Sequence, residues 1–398
     1  MRYEQLAART LAAGRLVAVL TVVTVMALSA CSSSGGGGAS SATGYPRDDE
    51  LKLNQIQVLG THNSYHLRPE EPLMSLIMKV DAATGRSIDY AHAPLDVQLS
   101  QQGIRQIELD TFADPNGGLY AKPVLGPAGG LNQPEMDAPG FKVLHLQDSD
   151  WESTCTVFVA CLQTVKQWSD TNPGHVPVMI LIEAKDGAVK SPPGAVIPVP
   201  YDTTQFDALD AEIRSVFGPD DLIVPDDVRG SHDTLEQAVL ADDWPTLGQS
   251  RGKVMFTLDN ADKRATYAAG HPSLRGRVMF TNAQPGEPEA AFVERNEAKQ
   301  FQAEIADLVA KGYVVRTRAD AETVEARSND ASTAQAALAS GAQWVSTDYP
   351  VADPVLGTGY QVTIPDGTPG RCNPIIATTD CVSTDIENPA YLTTRVRG

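Results

Sequence analysis

Residues 178–186 read Val-Met-Ile-Leu-Ile-Glu-Ala-Lys-Asp, a short apolar run that ends in charge. Runs of this kind recur along the chain. Strands are predicted at 56–60, 106–110, 142–146, 178–183, 253–258, 277–281, 314–317 and 343–346. Between them lie amphipathic stretches at 94–102, 154–170, 204–217, 291–311 and 331–340, which read as helices. Strands alternating with helices imply βαβ units and a parallel sheet. Eight such strands predict an α/β fold of the (β/α)8 TIM-barrel type. A doubly wound open sheet is the alternative, and no G-x-G-x-x-G follows the first strand to support it. The Gly- and Pro-rich connections 114–140 and 187–201 follow strand ends, on the face where barrel sites form.

The charged residues sit at those strand ends. The first strand runs into Gly60-Thr61-His62-Asn63-Ser64-Tyr65-His66, the second ends Ile107-Glu108-Leu109-Asp110, and the third ends Val143-Leu144-His145. Residues two apart in a strand share a face, so Glu108 and Asp110 point together into the barrel, as do Glu183 and Lys185. Adjacent buried acids need a cation, a proton or a basic partner. Arg105, Arg318 and Lys185 are the basic candidates. The oxygen set Asn63, Glu108, Asp110 and Glu183 suits a hard divalent cation such as Ca2+, whereas Zn2+ recruits more His and Cys. His62 and His145 are then free for proton transfer. Lys185 and Arg318 are candidates for contacting a substrate phosphate. His66 and His92 lie near the rim without an assigned role, and Asp259 and Asp348 end strands without one.

Four stretches carry a resemblance: GTHNSYH (60–66), IELDTF (107–112), VLHLQD (143–148) and MILIEAKD (179–186). In order and wording the chain resembles the calcium-dependent phosphatidylinositol-specific phospholipase C family, within the PLC-like phosphodiesterases. The segments 91–103 and 341–350 also look like that superfamily. The resemblance implies a TIM barrel that cleaves inositol phospholipids to diacylglycerol and an inositol phosphate, either cyclic or hydrolysed onward from the cyclic form. It implies His62 and His145 as the catalytic pair, and Asn63, Glu108, Asp110 and Glu183 as ligands of one Ca2+. Glycerophosphodiester phosphodiesterases also carry an E-x-D, a later His and an E-x-K, but usually begin with His-Arg where this chain has His-Asn. A glycerophosphodiester substrate is therefore the second enzymatic reading, and a non-catalytic solute-binding lipoprotein a third.

The N-terminus reads as a targeting segment. Arg2, Arg9 and Arg15 precede a 13-residue apolar run at 16–28, short for a membrane span. Leu28-Ser29-Ala30-Cys31 resembles a bacterial lipobox, which implies cleavage after residue 30 and lipid on Cys31. The expected divisions are a signal at 1–30, a Ser/Gly-rich tether at 31–48, a barrel at 49–356 and a C-terminal surface extension at 357–398. The protein is thus expected to be exported and held at a membrane's outer face. There disulfides persist, and Cys155 with Cys161 and Cys372 with Cys381 are expected to pair. The formal charge of −19 becomes −21 once three Arg and one Glu leave with residues 1–30. That sign gives no general attraction for nucleic acid.

Overall fold

The computed structural model describes residues 45–188 and 193–389. The proposed signal, Cys31 and most of the tether lie outside them. Eight parallel strands form the barrel: β1 (Ile56–Thr61), β2 (Gln106–Phe112), β4 (Val178–Ala184), β6 (Val254–Leu258), β7 (Met279–Thr281), β8 (Phe292–Glu297), β9 (Val314–Arg318) and β10 (Trp344–Thr347). They run β6-β4-β2-β1-β10-β9-β8, with β7 beside β6. A parallel bridge from Asn282 to Phe292 joins β7 to β8 and closes the circuit. Three short strands stand outside it. β3 (Lys142–Val143) pairs with β2, β5 (Leu222–Ile223) with β6, and β11 (Gly370–Cys372) with β1.

The outer layer follows from helical spacing. Helix Phe158–Thr171 buries Phe158, Cys161, Leu162, Val165 and Trp168, one face at three- and four-residue intervals. Helix Thr203–Val216 does the same with Phe206, Leu209 and Ile213, and starts where the Asp202 side chain accepts from the Gln205 amide. Ile107 and Leu109 of β2 are fully buried in the same main core. A second apolar cluster, including Phe112, Tyr120, Met136, Leu144 and Trp151, lies under the long connection after β2 and holds it against the rim.

Two expected elements differ. Residues 142–146 do not make a barrel strand: only Lys142–Val143 is extended, antiparallel to Phe112 and Thr111. The connection 113–141 has no α-helix, and a parallel return needs a crossover. The missing barrel strand is β8, inside the stretch expected as the helix 291–311; the helix starts only at Ala298. Its polar residues concealed it. Glu294 and Asn296, two apart, both accept from the Arg316 guanidinium, at 2.9 and 2.8 Å.

The ends also differ from expectation. Part of the expected tether is packed, because Tyr45 and Asp48 are buried. Arg251 bonds Asp48 at 2.7 Å and lies over the Tyr45 ring. Part of the expected C-terminal extension packs against the barrel. Its β11 pairs with β1, and buried Glu387 accepts from Arg105 Nε at 3.0 and 2.9 Å. Both expected disulfides are present, Cys155–Cys161 and Cys372–Cys381. Among the described residues, no helix is long and apolar enough to cross a membrane.

Candidate active site

The barrel brings Asn63, Glu108, Asp110, Glu183, His62, Lys185 and Arg318 to the C-terminal rim, either on strands or in the residues just after them. The turn after β1 is fixed first. Asn63 adopts a left-handed backbone (φ 46°), which Asn enters more readily than most residues. Thr61 Oγ1 lies 2.6 Å from Ser64 Oγ, which in turn accepts the Glu108 amide at 2.8 Å. His92 Nε2 donates to the His62 carbonyl at 2.9 Å, so His92 pins this turn. Burial pushes the His92 imidazole down to about 4, so it does this uncharged.

Oxygens of Glu108, Asp110 and Glu183 lie within 4.8 Å of one another. Burial pushes Glu108 up to about 8; Arg316 pulls it the other way and Asp110 adds to the rise. Glu183 is pushed up to about 7 by burial and by Asp110, against the pull of Lys185. Lys185 Nζ sits 2.9 Å from Asp110 Oδ2 and 3.2 Å from Glu183 Oε2. Of the basic partners considered for the two acids on β2, Lys185 is the one found. Glu108 Oε2 instead accepts from buried Arg316 at 2.6 Å. Arg105 lies at the opposite end of β2 on Glu387, and Arg318 bonds Asp348.

The cluster fits a hard cation. Asn63 Oδ1 is buried without a hydrogen-bond partner among the described residues. Its amide nitrogen donates to Tyr90 Oη at 3.2 Å, which leaves that oxygen as the open atom. Three crowded carboxylates and a free amide oxygen are the donor set such an ion takes.

Both histidines rest on carboxylates. His62 Nδ1 is 2.9 Å from Asp348 Oδ1, and Arg318 Nη1 is 3.2 Å from His62 Nε2. Arginine only donates, so Nε2 is the acceptor and Nδ1–H donates to Asp348. Burial and the Arg318 charge push the imidazole down to about 3, against the pull of Asp348. His145 Nδ1 lies 2.7 Å from Asp150 Oδ2, and Asp150 also takes His66 Nε2 at 3.1 Å. Burial would raise Asp150, but His66 and His145 hold it below the usual carboxylate range. Ring contacts join the two halves: Tyr90 stacks 6.4 Å from His62 and 4.5 Å from His66, and His66 meets His145 edge-on at 5.7 Å.

Sequence reasoning passed over Asp150, Arg316 and Tyr90, and left Asp348 without a role. For Asp348 and Arg316 a signal existed. Asp348 directly follows a strand end. Arg316 stands two before Arg318 in β9, hence on the same inward face. Asp150 and Tyr90 lie in irregular segments with no periodicity to mark them.

A family model for phosphoinositide phospholipase C, Ca2+-dependent, matches residues 51–374. No curated protein matches the chain. Among solved structures, the chain is similar to a calcium-dependent phosphoinositol-specific phospholipase C from the Gram-negative bacterium Pseudomonas sp. The TM-score is 0.50 and the identity 18%, over 82% of this chain and 97% of that one. A Ca2+-dependent phosphatidylinositol-specific phospholipase C from Streptomyces antibioticus aligns with a TM-score of 0.46 and 18% identity, over 77% of this chain and 97% of that one. The likeness to the Pseudomonas structure is one of fold, and it agrees with the closed barrel.

Proposed function

The chain belongs to the Ca2+-dependent phosphoinositide phospholipase C family, and from that membership we propose that it cleaves phosphatidylinositol-type lipids to diacylglycerol and an inositol cyclic phosphate. The observation that carries the reading is the close cluster of Glu108, Asp110 and Glu183, on a rim that also holds the unpartnered Asn63 oxygen and two carboxylate-backed histidines. Asn63, Glu108, Asp110 and Glu183 would hold the ion. A Ca2+ ion held there would make the inositol 2-hydroxyl more acidic and would offset charge developing on the phosphoryl group.

The chain's own residues divide the proton transfers. The attack is intramolecular, with the entropic advantage of a tethered nucleophile. His62, kept neutral with Nδ1–H on Asp348, takes the 2-hydroxyl proton at Nε2. A substrate phosphate offers Arg318 an anionic acceptor and draws it off that nitrogen. As the 2-oxygen bonds to phosphorus, the bond to the glycerol oxygen breaks. His145, held through Nδ1 on Asp150, donates the proton to that oxygen. Lys185, held between Asp110 and Glu183, neutralises the acid cluster instead of reaching for phosphate.

Phosphorus NMR of a phosphatidylinositol digest is expected to show a cyclic inositol phosphate, and EDTA is expected to abolish turnover. Active enzyme that yields only a linear phosphate would point to attack by water, the glycerophosphodiesterase reading. Tyr90→Phe tests the ion's ligand set separately. It removes the acceptor that orients the Asn63 amide, a loss of about 1 kcal/mol. The half-saturating Ca2+ concentration is expected to rise about 5-fold; an unchanged value counts against Asn63 as a ligand.

The apolar run before Cys31 supports an exported lipoprotein held at the outer face of a membrane, with residues from 32 serving as the tether. The two disulfides fit export. Mass spectrometry of the membrane fraction is expected to show a diacylated Cys31, and an unmodified N-terminus would overturn the anchor.

A further inference from the structure

One helix on the active-site side keeps an apolar face uncovered. In Leu73–Val80 (LMSLIMKV), Leu76, Ile77 and Val80 share a face by three- and four-residue spacing. Leu76 is 44% exposed and Val80 75%. This face forms one wall of a groove of about 380 Å³, whose other apolar lining includes Ile88, Leu125 and Leu146 and which reaches Asp150. The volume falls within the range of small-molecule sites.

The acids in its lining are already engaged. Asp81 accepts from the Ala83 and Thr84 amides and from Thr84 Oγ1. Asp150 is taken by His66 and His145. A polar ligand would have to compete with these bonds, whereas an apolar one disturbs none of them.

We infer that this groove holds one acyl chain of the lipid being cleaved, so that the enzyme recognises hydrocarbon as well as head group. The assignment rests on the proposed function. The groove is continuous with Asp150, whose carboxylate carries His145, and His145 is the group that meets the glycerol oxygen. The inner end of the groove is thus one residue away from His145, and a chain attached to the glycerol would have an apolar path from there along the groove. Burying its methylenes against Leu76, Ile77 and Val80 removes apolar surface of both partners from water.

The test uses monomeric substrates, so that no lipid surface contributes. The double variant Leu76→Asn/Val80→Asn changes exposed side chains and leaves the catalytic groups intact. Dihexanoyl phosphatidylinositol below its aggregation concentration is compared with acyl-free glycerophosphoinositol. The variant's kcat/KM on the diacyl substrate, taken relative to the acyl-free one, is expected to fall about 10-fold. Calorimetric binding of dihexanoylglycerol is expected to weaken by a similar factor. A ratio within about twofold of wild type, with unchanged diacylglycerol binding, overturns the groove. So does a loss seen only on vesicles, which would make the helix a membrane-adsorbing face. Wild-type protein that binds dihexanoylglycerol more tightly than the variant but cleaves neither substrate would refute the proposed reaction and leave the groove standing.

Discussion

Replacing His62 with alanine is expected to lower kcat on phosphatidylinositol by about 10²- to 10⁴-fold, the range for loss of a positioned proton acceptor. The effect is large because the surroundings prepare this one side chain. Asp348 takes its Nδ1–H, Arg318 meets its Nε2, and burial keeps it neutral near physiological pH. None of those groups can supply the missing base. Asp348→Asn keeps the imidazole but gives up the ionised partner, so it should fall between wild type and His62→Ala. Single-turnover assays at saturating Ca2+ distinguish loss of chemistry from loss of the ion. A His62→Ala enzyme within threefold of wild type would refute the assignment. Circular dichroism of the variant should match wild type, since His62 sits in a rim turn and outside the packed core.

The second large effect concerns stability, at the far end of the same strand β2. Arg105→Met is expected to destabilise the protein by about 3–5 kcal/mol in urea unfolding, because it leaves the Glu387 carboxylate buried without its partner. Arg105 also donates to the carbonyls of Leu99 and Ile104 and stacks 4.7 Å from the Trp168 ring. The double variant Arg105→Met/Glu387→Gln should lose less, since no buried charge remains. Equal losses in the two variants would mean that packing, and not the ion pair, dominates. The pH dependence has a definite sign. Burial alone would raise Glu387, but Arg105 and the Val176 amide hold it below its ordinary value. The pair therefore stabilises fully above about pH 4.5, the usual carboxylate value, and that contribution fades as pH falls through the lowered one. In Arg105→Met this acid-side loss should largely disappear.

These two residues lie at opposite ends of the barrel, and they were not equally legible. His62 stands in GTHNSYH directly after an apolar run, and Glu108 and Asp110 alternate with Ile107 and Leu109. Local spacing is enough to put such residues on an inward face at a strand end. Arg105 next to β2 looked like a partner for those acids. Its actual partner is 282 residues away in the C-terminal segment, a distance no local pattern reports. Strand β8 escaped for a related reason. Its Glu294 and Asn296 are interior residues satisfied by Arg316, and without that partner FVERNE reads as the start of a helix.

The sequence by itself determined the class of fold, the order of the rim motifs, the grouping of Glu108, Asp110 and Glu183, and both disulfide pairs. These follow from periodicity and from chemistry carried within short stretches. Only the tertiary structure decided which charge answers which: Arg316 on Glu108, Lys185 on Asp110, Asp348 on His62, Asp150 on His145 and Glu387 on Arg105. It also decided that the stretch from β11 to Glu387 packs under the barrel, and that an apolar groove reaches Asp150. Except for His145 with Asp150, these pairings are non-local. Closing a barrel brings distant strand ends within hydrogen-bond reach, and a buried charge takes the partner that the closed circuit puts beside it.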